Sequence, residues 1–483
     1  MYILAIDQGT TGTTTVLYDL EGRPAAKAYR EFTQHYPGPG LVEHDPEEIW
    51  QTVLATVAEV CGSRQGEIGA VGITNQRETT VLWSRSTGKP LHNAIVWQCR
   101  RTTDICNRLR PQEDMIRGKT GLPVDPYFSG TKVRWLLDHV QCPGPEDIAF
   151  GTIDTWLIWK LTGGRVHATD YTNASRTLLF DIETRQWDPE LCRLLGIPPE
   201  ILPEVRRSVD EYGSVSEVKE IRGVPVLGVA GDQQAALFGQ GCFDRGEAKN
   251  TYGTGCFLLM NTGDRRIRSD KGLLSTLAVG GDGGPCHAVE GAVFIAGAAI
   301  QWLRDELQVL ERAADSEAAA VSLNGNDGVY FVPAFVGLGA PHWNPDARGT
   351  VTGLTRGTGR AHIIRAALEA MAYQSLDVLV AMEEETGIRI PELAVDGGAI
   401  ANNFLAQFQA DILGRPVVRP EVIESTSLGA ACLAGLKAGV WKSAAELQAF
   451  RHTERTFQPR IGDEAREALL AGWRAALRKT MQE

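Results

Sequence analysis

The sequence predicts an α/β protein made of two related halves, and three observations carry that prediction. Strand-like apolar runs alternate with helix-like amphipathic runs along most of the 483 residues. A strand, a turn rich in Gly and Thr, and a second strand occur at residues 4–19 and again at 249–260, the mark of a duplicated unit. Acids and amides cluster where predicted strands end, which is where open α/β sheets bind ligands.

The first device reads as a strand over 2–6, a turn, and a strand over 13–18. Gly9 and Gly12 permit a backbone that other residues would strain, and the Thr hydroxyls and turn N–H groups can face one concavity suited to phosphate oxygens. Asp7 ends the first strand, where a hydrated Mg²⁺ would sit between carboxylate and phosphate. Taken alone, the stretch is equally compatible with a hairpin whose polar turn is purely structural.

A third strand is expected over 26–32. A helix then starts at Asp45, with Pro46 in its first turn and Glu48 reaching back to the cap. Its apolar stripe is Ile49, Trp50, Val53, Leu54, Val57 and Val60. Strands follow at 68–74, 79–83 and 94–97, the first ending in Asn75-Gln76-Arg77-Glu78, and a helix begins near Cys99. Residues 151–161 form an apolar helix closed by Gly163-Gly164. The strand at 224–230 ends in Gly231-Asp232-Gln233-Gln234. The pattern restarts near 241–246, which divides the chain into domains 1–243 and 244–483. In the second half, Asp396-Gly397-Gly398-Ala399 joins a strand at 393–395 to a helix at 402–413, whose N-terminus offers N–H groups and a positive dipole end to an anion. Helices at 362–386, 427–437 and 464–482 complete the chain.

The bulk properties narrow the function. With 43% hydrophobic and 22% charged residues the composition is that of a soluble globular protein, and a formal charge of −12 argues against nucleic acid or an anionic membrane as main partner. Nine Cys without CxxC pairs fit reduced thiols in the cytoplasm. The opening apolar run, 1–6, is too short for a signal peptide, and the most apolar internal segment, 291–303, is too short for a membrane span.

Other motifs carry less. Gly118-Lys119-Thr120 lacks the preceding strand and the first Gly of a phosphate-binding P-loop, and no G-x-G-x-x-G follows a strand. His44, His139 and His342 have no metal-ligand spacing and read as surface or hydrogen-bonded structural residues. What remains is Asp7, Arg77-Glu78 and Asp232-Gln233 beside two Gly-Thr turns. Together these can form an ATP–Mg²⁺ site and a site for a small polyol, with Trp97 and Phe257 as an apolar wall or simply as core aromatics.

Longer runs carry a resemblance. Ile-Asp-Gln-Gly-Thr-Thr at 6–11 resembles the first phosphate hairpin of the sugar-kinase, Hsp70 and actin superfamily. Tyr-Phe-Ser-Gly-Thr-Lys-Val-Arg-Trp-Leu-Leu-Asp-His at 127–139 is similar to the first signature of the FGGY carbohydrate kinases, and Gly-Thr-Val-Thr-Gly-Leu at 349–354, continued through 362–369, to the second. The runs at 72–80, 97–102 and 230–239 resemble the branch of that family that phosphorylates glycerol.

The resemblance extends from residue 2 to about 473 and implies two actin-like (ribonuclease H-like) domains with a catalytic cleft between them. It implies ATP and glycerol giving ADP and sn-glycerol 3-phosphate, in a cytoplasmic homo-oligomer (dimer or tetramer). By the same resemblance Arg77, Glu78, Tyr127, Asp232 and Gln233 hydrogen-bond glycerol, with Trp97 and Phe257 against its carbons and Asp232 as catalytic base. Thr10, Thr11, Gly12, Thr13 and Thr254 hold phosphates; Gly297, Gln301, Gly398 and Asn402 hold the nucleoside end; Asp7 orients Mg²⁺ through water. The chain departs from the family at Thr14, where an Arg is common. It also lacks the Gly- and Arg-bearing effector loop expected near 216–222 and the phosphorylatable His expected before Tyr212. Two other readings stand beside this one: an FGGY kinase for another polyol or a ketopentose, and a non-enzymatic ATPase switch of the actin or Hsp70 kind.

Overall fold

The computed structural model describes residues 1–483 except 63, 65, 450, 451 and 483. The chain forms two compact units. The first comprises Met1–Phe243, Ser275–Ala288 and Ser425–Phe450, and the second comprises Asp244–Leu274, Val289–Glu424 and Arg451–Glu483.

The first unit is organised on a five-stranded sheet in the order Val226–Gly231, Ile68–Asn75, Tyr2–Gln8, Gly12–Tyr18, Pro24–Glu31. The three strands on one side run parallel, and the other two are added as antiparallel hairpin partners. Register decides where the chemistry falls. Gln8 lies opposite Asn75, and Asn75 opposite Gly231, so the residues that follow all three strands emerge on one edge of the sheet. The strand interiors are apolar (Leu4, Ile6, Val71, Ile73, Val226 and Val229 are fully buried) because the sheet is covered on both faces.

On one face lies the helix Pro46–Cys61, which buries Ile49, Trp50, Val53, Val57 and Val60 and leaves Leu54 partly exposed. Asp45 caps it by accepting the Glu47 N–H at 2.8 Å. Glu48 does not reach back to the cap as expected. Its Oε1 accepts the Thr33 N–H and hydroxyl, both at 2.9 Å, and ties down the chain that leaves the third strand. Hydroxyl pairs Thr13–Thr52 and Thr15–Thr56 fasten the helix to the second strand.

The other face receives the helix Ser425–Lys437, which is distant in sequence but part of this unit. Glycines permit the close approach. A Cβ on Gly72 would lie 2.1 Å from the Ala430 carbonyl oxygen, and one on Gly228 would lie 2.5 Å from the Ala434 nitrogen.

The second unit repeats the plan. Its strands Cys256–Gly263, Ala248–Tyr252, Leu393–Asp396, Val417–Pro420 and Thr453–Phe457 are neighbours in that order. Ala248–Tyr252 pairs antiparallel with its hairpin partner and parallel with Leu393–Asp396, as Tyr2–Gln8 does with its own two neighbours. Arg360–Thr386, a helix of 27 residues, passes through the core and buries Ala367, Met371, Val378 and Met382. Among the described residues no helix is long and apolar enough to cross a membrane.

Candidate functional site

The turn that joins the first two strands directs its carbonyls inward. The Gly9 carbonyl accepts from Gln8 Nε2 at 2.8 Å and Gln76 Nε2 at 3.2 Å, and the Thr10 carbonyl accepts from Gln34 Nε2 at 3.0 Å. The Thr11 and Gly12 carbonyls are taken by the Phe32 and Gly9 N–H groups. Among the described residues the N–H groups of Thr10 and Thr11 have no such partner, so the exposed lip of the turn presents donors rather than acceptors, as an anion requires. Thr13 is already buried in the ladder opposite Gln8. Asp7 pairs with Thr14 on one side and Thr74 on the other, and its partly exposed carboxylate stands one residue before this turn.

Arg77 and Glu78 follow the neighbouring strand, and both are nearly fully buried. Glu78 has φ +60, a left-handed backbone that is uncommon for a residue with a Cβ and is held only where surroundings demand it. Three donors converge on its carbonyl: Ser129 Oγ at 3.0 Å, Thr80 Oγ1 at 3.0 Å and Lys132 Nζ at 3.3 Å. A tight turn, Thr79 N–H to Arg77 carbonyl at 2.7 Å, delays the next strand to Val81–Ser84, two residues later than the apolar pattern suggests.

The Glu78 carboxylate meets the Arg176 guanidinium at 2.6 Å, and Arg77 Nε lies 3.2 Å from Asp232 Oδ1. Asp232 opens the helix Asp232–Gly239 and remains partly exposed, its oxygens accepting from the Gln233 N–H and side-chain amide. Trp97 and Tyr127 are half-buried and packed edge to face with centroids 5.6 Å apart; the Trp97 indole donates to Thr10 Oγ1. The first unit thus brings Thr10, Arg77, Glu78, Trp97, Tyr127, Asp232 and Gln233 into one connected cluster.

Two residues of this cluster escape sequence reasoning. Arg176 is fully buried 98 positions from Glu78, and only the fold reveals the pairing. Lys132, also fully buried, sits inside the signature at 127–139, but its ammonium is spent on the Glu78 and Tyr127 carbonyls; burial pushes its pKa down to about 8. The helix Ser129–His139 also carries Arg134 and Asp138, so nothing local marks this Lys as the buried one.

In the second unit the turn after Ala248–Tyr252 is tied back in the same manner. The Thr254 carbonyl accepts from the Ala296 and Ala298 N–H groups at 2.9 and 3.1 Å, and the Gly253 carbonyl from Gly297 at 3.0 Å. Gly297 opens the helix Gly297–Asp305, with the exposed Gln301 one turn on, and a Cβ there would lie 2.6 Å from the Gly253 oxygen. Gly397 takes φ +90 against the Tyr252 carbonyl, which leaves Gly398 exposed at the start of a short 3₁₀ turn. Asn402 caps the helix Asn403–Leu413 through Oδ1 to the Leu405 N–H, and its Nδ2 donates to Ser316. Phe257 is half-buried on the hairpin strand opposite Thr251.

Among the described residues no group of three or more His, Cys, Asp or Glu could hold a metal ion. A lone Asp7 nevertheless suits Mg²⁺, which keeps several waters and takes one or two carboxylates together with nucleotide phosphates.

Two mixed α/β units, each opening on a hairpin turn with its carbonyls tied back, and a buried guanidinium–carboxylate cluster beside the first turn define a phosphotransferase of the sugar-kinase type. The chain belongs to the FGGY family of carbohydrate kinases, whose N-terminal domain matches residues 2–239 and whose C-terminal domain matches residues 248–438. It is 58% identical over 489 residues to a glycerol kinase of Symbiobacterium thermophilum, covering 99% of this chain and 98% of that one. To a glycerol kinase of Xanthomonas campestris pv. campestris it is 56% identical over 491 residues, with the same coverage. Among solved structures it is similar to Plasmodium falciparum glycerol kinase with ADP, at a TM-score of 0.92 and 36% identity, covering 99% of this chain and 98% of that one.

Proposed function

We propose that this protein transfers the γ-phosphoryl group of ATP to glycerol, giving ADP and sn-glycerol 3-phosphate. The observation that carries the reading is the register of the first sheet. It sets the Thr10–Thr11 turn, the Arg77–Glu78 pair and Asp232 on one edge. We read the turn as donors for phosphate, beside the guanidinium and carboxylates as donors and acceptors for hydroxyls. Full-length similarity to glycerol kinases and to an ADP-bound member of that group supports the choice of both substrates.

Phosphoryl transfer through a loose transition state relies mainly on alignment and charge neutralisation. In this reading Arg77, Glu78, Tyr127 and Gln233 pair with the glycerol hydroxyls, and Trp97 and Phe257 cover its carbons. Asp232 takes the proton of the attacking hydroxyl, and Arg77 holds the Asp232 carboxylate in orientation. Thr10, Thr11, Gly12, Thr13 and Thr254 receive the phosphates, while Gly297, Gln301, Gly398 and Asn402 bound the nucleoside. Asp7 would hold Mg²⁺ through water, and the ion would offset phosphate charge. Among the described residues nine cysteines are free thiols, eight of them buried, which fits a cytoplasmic protein. We assign it to a homo-oligomer, a dimer or tetramer, which sedimentation analysis would read directly.

The test is ADP release over a panel of polyols and ketopentoses. Glycerol should dominate, because acceptors lacking a hydroxyl leave buried polar groups unpaired. Asp232→Asn should lower turnover by about 10²–10⁴-fold while glycerol binding persists in weakened form. A ketopentose turning over faster than glycerol would move the protein to another branch of the family. Full-rate ATP hydrolysis without acceptor would make it an ATPase switch, and near-normal turnover in Asp232→Asn would remove the base assignment.

A further inference from the structure

Beneath the first phosphate turn lies a buried residue that the proposed chemistry does not use. His44 is fully buried in the two-residue strand Glu43–His44, its ring edge-on to Phe32 with centroids 4.9 Å apart. Its Nε2 lies 2.7 Å from Gln34 Oε1, and its Nδ1 lies 3.3 Å from Gln76 Nε2. These are two of the three glutamines whose amide groups bind the turn: Gln34 donates to the Thr10 carbonyl, and Gln76 joins Gln8 in donating to the Gly9 carbonyl. The remaining Gln76 oxygen accepts from Thr79 Oγ1 at 2.9 Å, which fixes which end of that amide faces the imidazole.

The donor–acceptor pattern has one solution. Gln34 presents oxygen to Nε2, so Nε2 carries the proton and Nδ1 of the neutral ring is left as acceptor. Nδ1 faces the Gln76 amide nitrogen, whose two N–H groups it shares with Gln8 Oε1 at 3.1 Å and the Gly9 carbonyl. A neutral imidazole satisfies both amides at once, and burial holds the ring in that form by lowering its pKa to about 3. The stakes lie in peptide orientation. A carbonyl turned outward at Gly9 or Thr10 would present negative charge to a phosphate and withdraw the N–H that should meet it.

We propose that His44 is a positioning residue for nucleotide binding, clamping Gln34 and Gln76 so that the Gly9 and Thr10 carbonyls stay inward and the Thr10 and Thr11 N–H groups face the phosphates. This rests on the reading of the turn as a phosphate site, and the carbonyls that the clamp holds are those of Gly9 and Thr10, not groups assigned to glycerol.

The experiment compares His44→Phe, His44→Asn, His44→Gln and Gln34→Leu with the parent protein. Readouts are KM for ATP, KM for glycerol, ADP affinity by calorimetry without acceptor, melting temperature, and amide exchange at Thr10 and Thr11. His44→Phe keeps the ring volume and loses both hydrogen bonds. It should raise the ATP KM and weaken ADP about tenfold, with the glycerol KM within about twofold and faster exchange at Thr10 and Thr11. Asn places an acceptor near the Nδ1 position and Gln a donor near Nε2, so each should restore part of the ADP affinity. Gln34→Leu, at a half-buried site, should give the same nucleotide-specific loss with a modest fall in melting temperature from the unpaired His44 N–H, and it decides the matter should His44→Phe not fold. Unchanged ADP affinity in Gln34→Leu, or equal rises in both KM values tracking the melting temperature, would overturn the proposal. ADP affinity reports on the clamp whichever alcohol is phosphorylated, so a failed glycerol assay in the parent protein would count only against the proposed reaction.

Discussion

The indole N–H of Trp97 donates to Thr10 Oγ1 at 3.0 Å, so the aromatic wall assigned to the acceptor is bonded directly to the turn assigned to phosphate. Trp97→Phe retains an apolar ring and deletes this bond. Loss of one neutral hydrogen bond is worth about 1 kcal/mol, or roughly fivefold. We therefore expect the KM values for both ATP and glycerol to rise by about that factor in steady-state kinetics. A change confined to glycerol would show that the bond does not orient Thr10.

Arg176 and Glu78 form an ion pair with side chains 0% and 2% exposed. Removing one member of such a pair leaves the other charge in a poorly solvated site, at a cost of about 3–5 kcal/mol. Arg176→Met should lose stability on that scale in urea titrations and raise the glycerol KM. Arg176→Lys should fall between the two. A loss below about 1 kcal/mol in Arg176→Met would mean that other contacts hold Glu78.

Glycine sets how closely the Asp232 helix packs against Ser425–Lys437. A Cβ on Gly429 would lie 1.9 Å from the Ala235 carbonyl oxygen, and one on Gly239 would lie 2.1 Å from the Ser425 oxygen. Both obstacles are backbone, so neither can rotate away. Gly429→Ala and Gly239→Ala should each lose about 1–3 kcal/mol and lower kcat through displacement of Asp232. Gly118→Ala is the control: its Cβ meets nothing within 4 Å, and added helix propensity should raise stability by up to about 1 kcal/mol.

Asp154 is fully buried with its oxygens on the Thr152 and Thr169 hydroxyls at 2.5 and 2.7 Å. Burial first, and then the nearby Asp170 charge, push its pKa from 3.8 up to about 7. The folded state therefore binds more protons than the unfolded state between those values. Its contribution to stability is full below about pH 3.8 and is lost as the pH rises through about 7. Asp154→Asn removes that titration, so its denaturation midpoint should vary less than that of the parent protein between pH 4 and 7. Parallel curves would place the proton elsewhere.

Local signals made much of this molecule readable in advance. The two Gly-Thr hairpins lie where strand periodicity and turn composition put them, as do the Asp45 cap and the strand-end positions of Arg77, Glu78 and Asp232. Errors fell where a local rule met a distant partner. Glu48 has the spacing of a capping box, yet it serves Thr33; residues 79–80 have strand composition, yet they complete the turn forced by Glu78.

What the sequence determined by itself was the class of fold and the identity of most chemical groups, because periodicity and turn chemistry act over a few residues. Only the tertiary structure decided which groups meet. Arg176 reaches Glu78, His44 aligns Gln34 with Gln76, and Ser425–Lys437 returns to the first unit against the Asp232 helix. Each of these depends on sheet register and on backbone approach distances that glycines permit, and those are set by the packed chain as a whole.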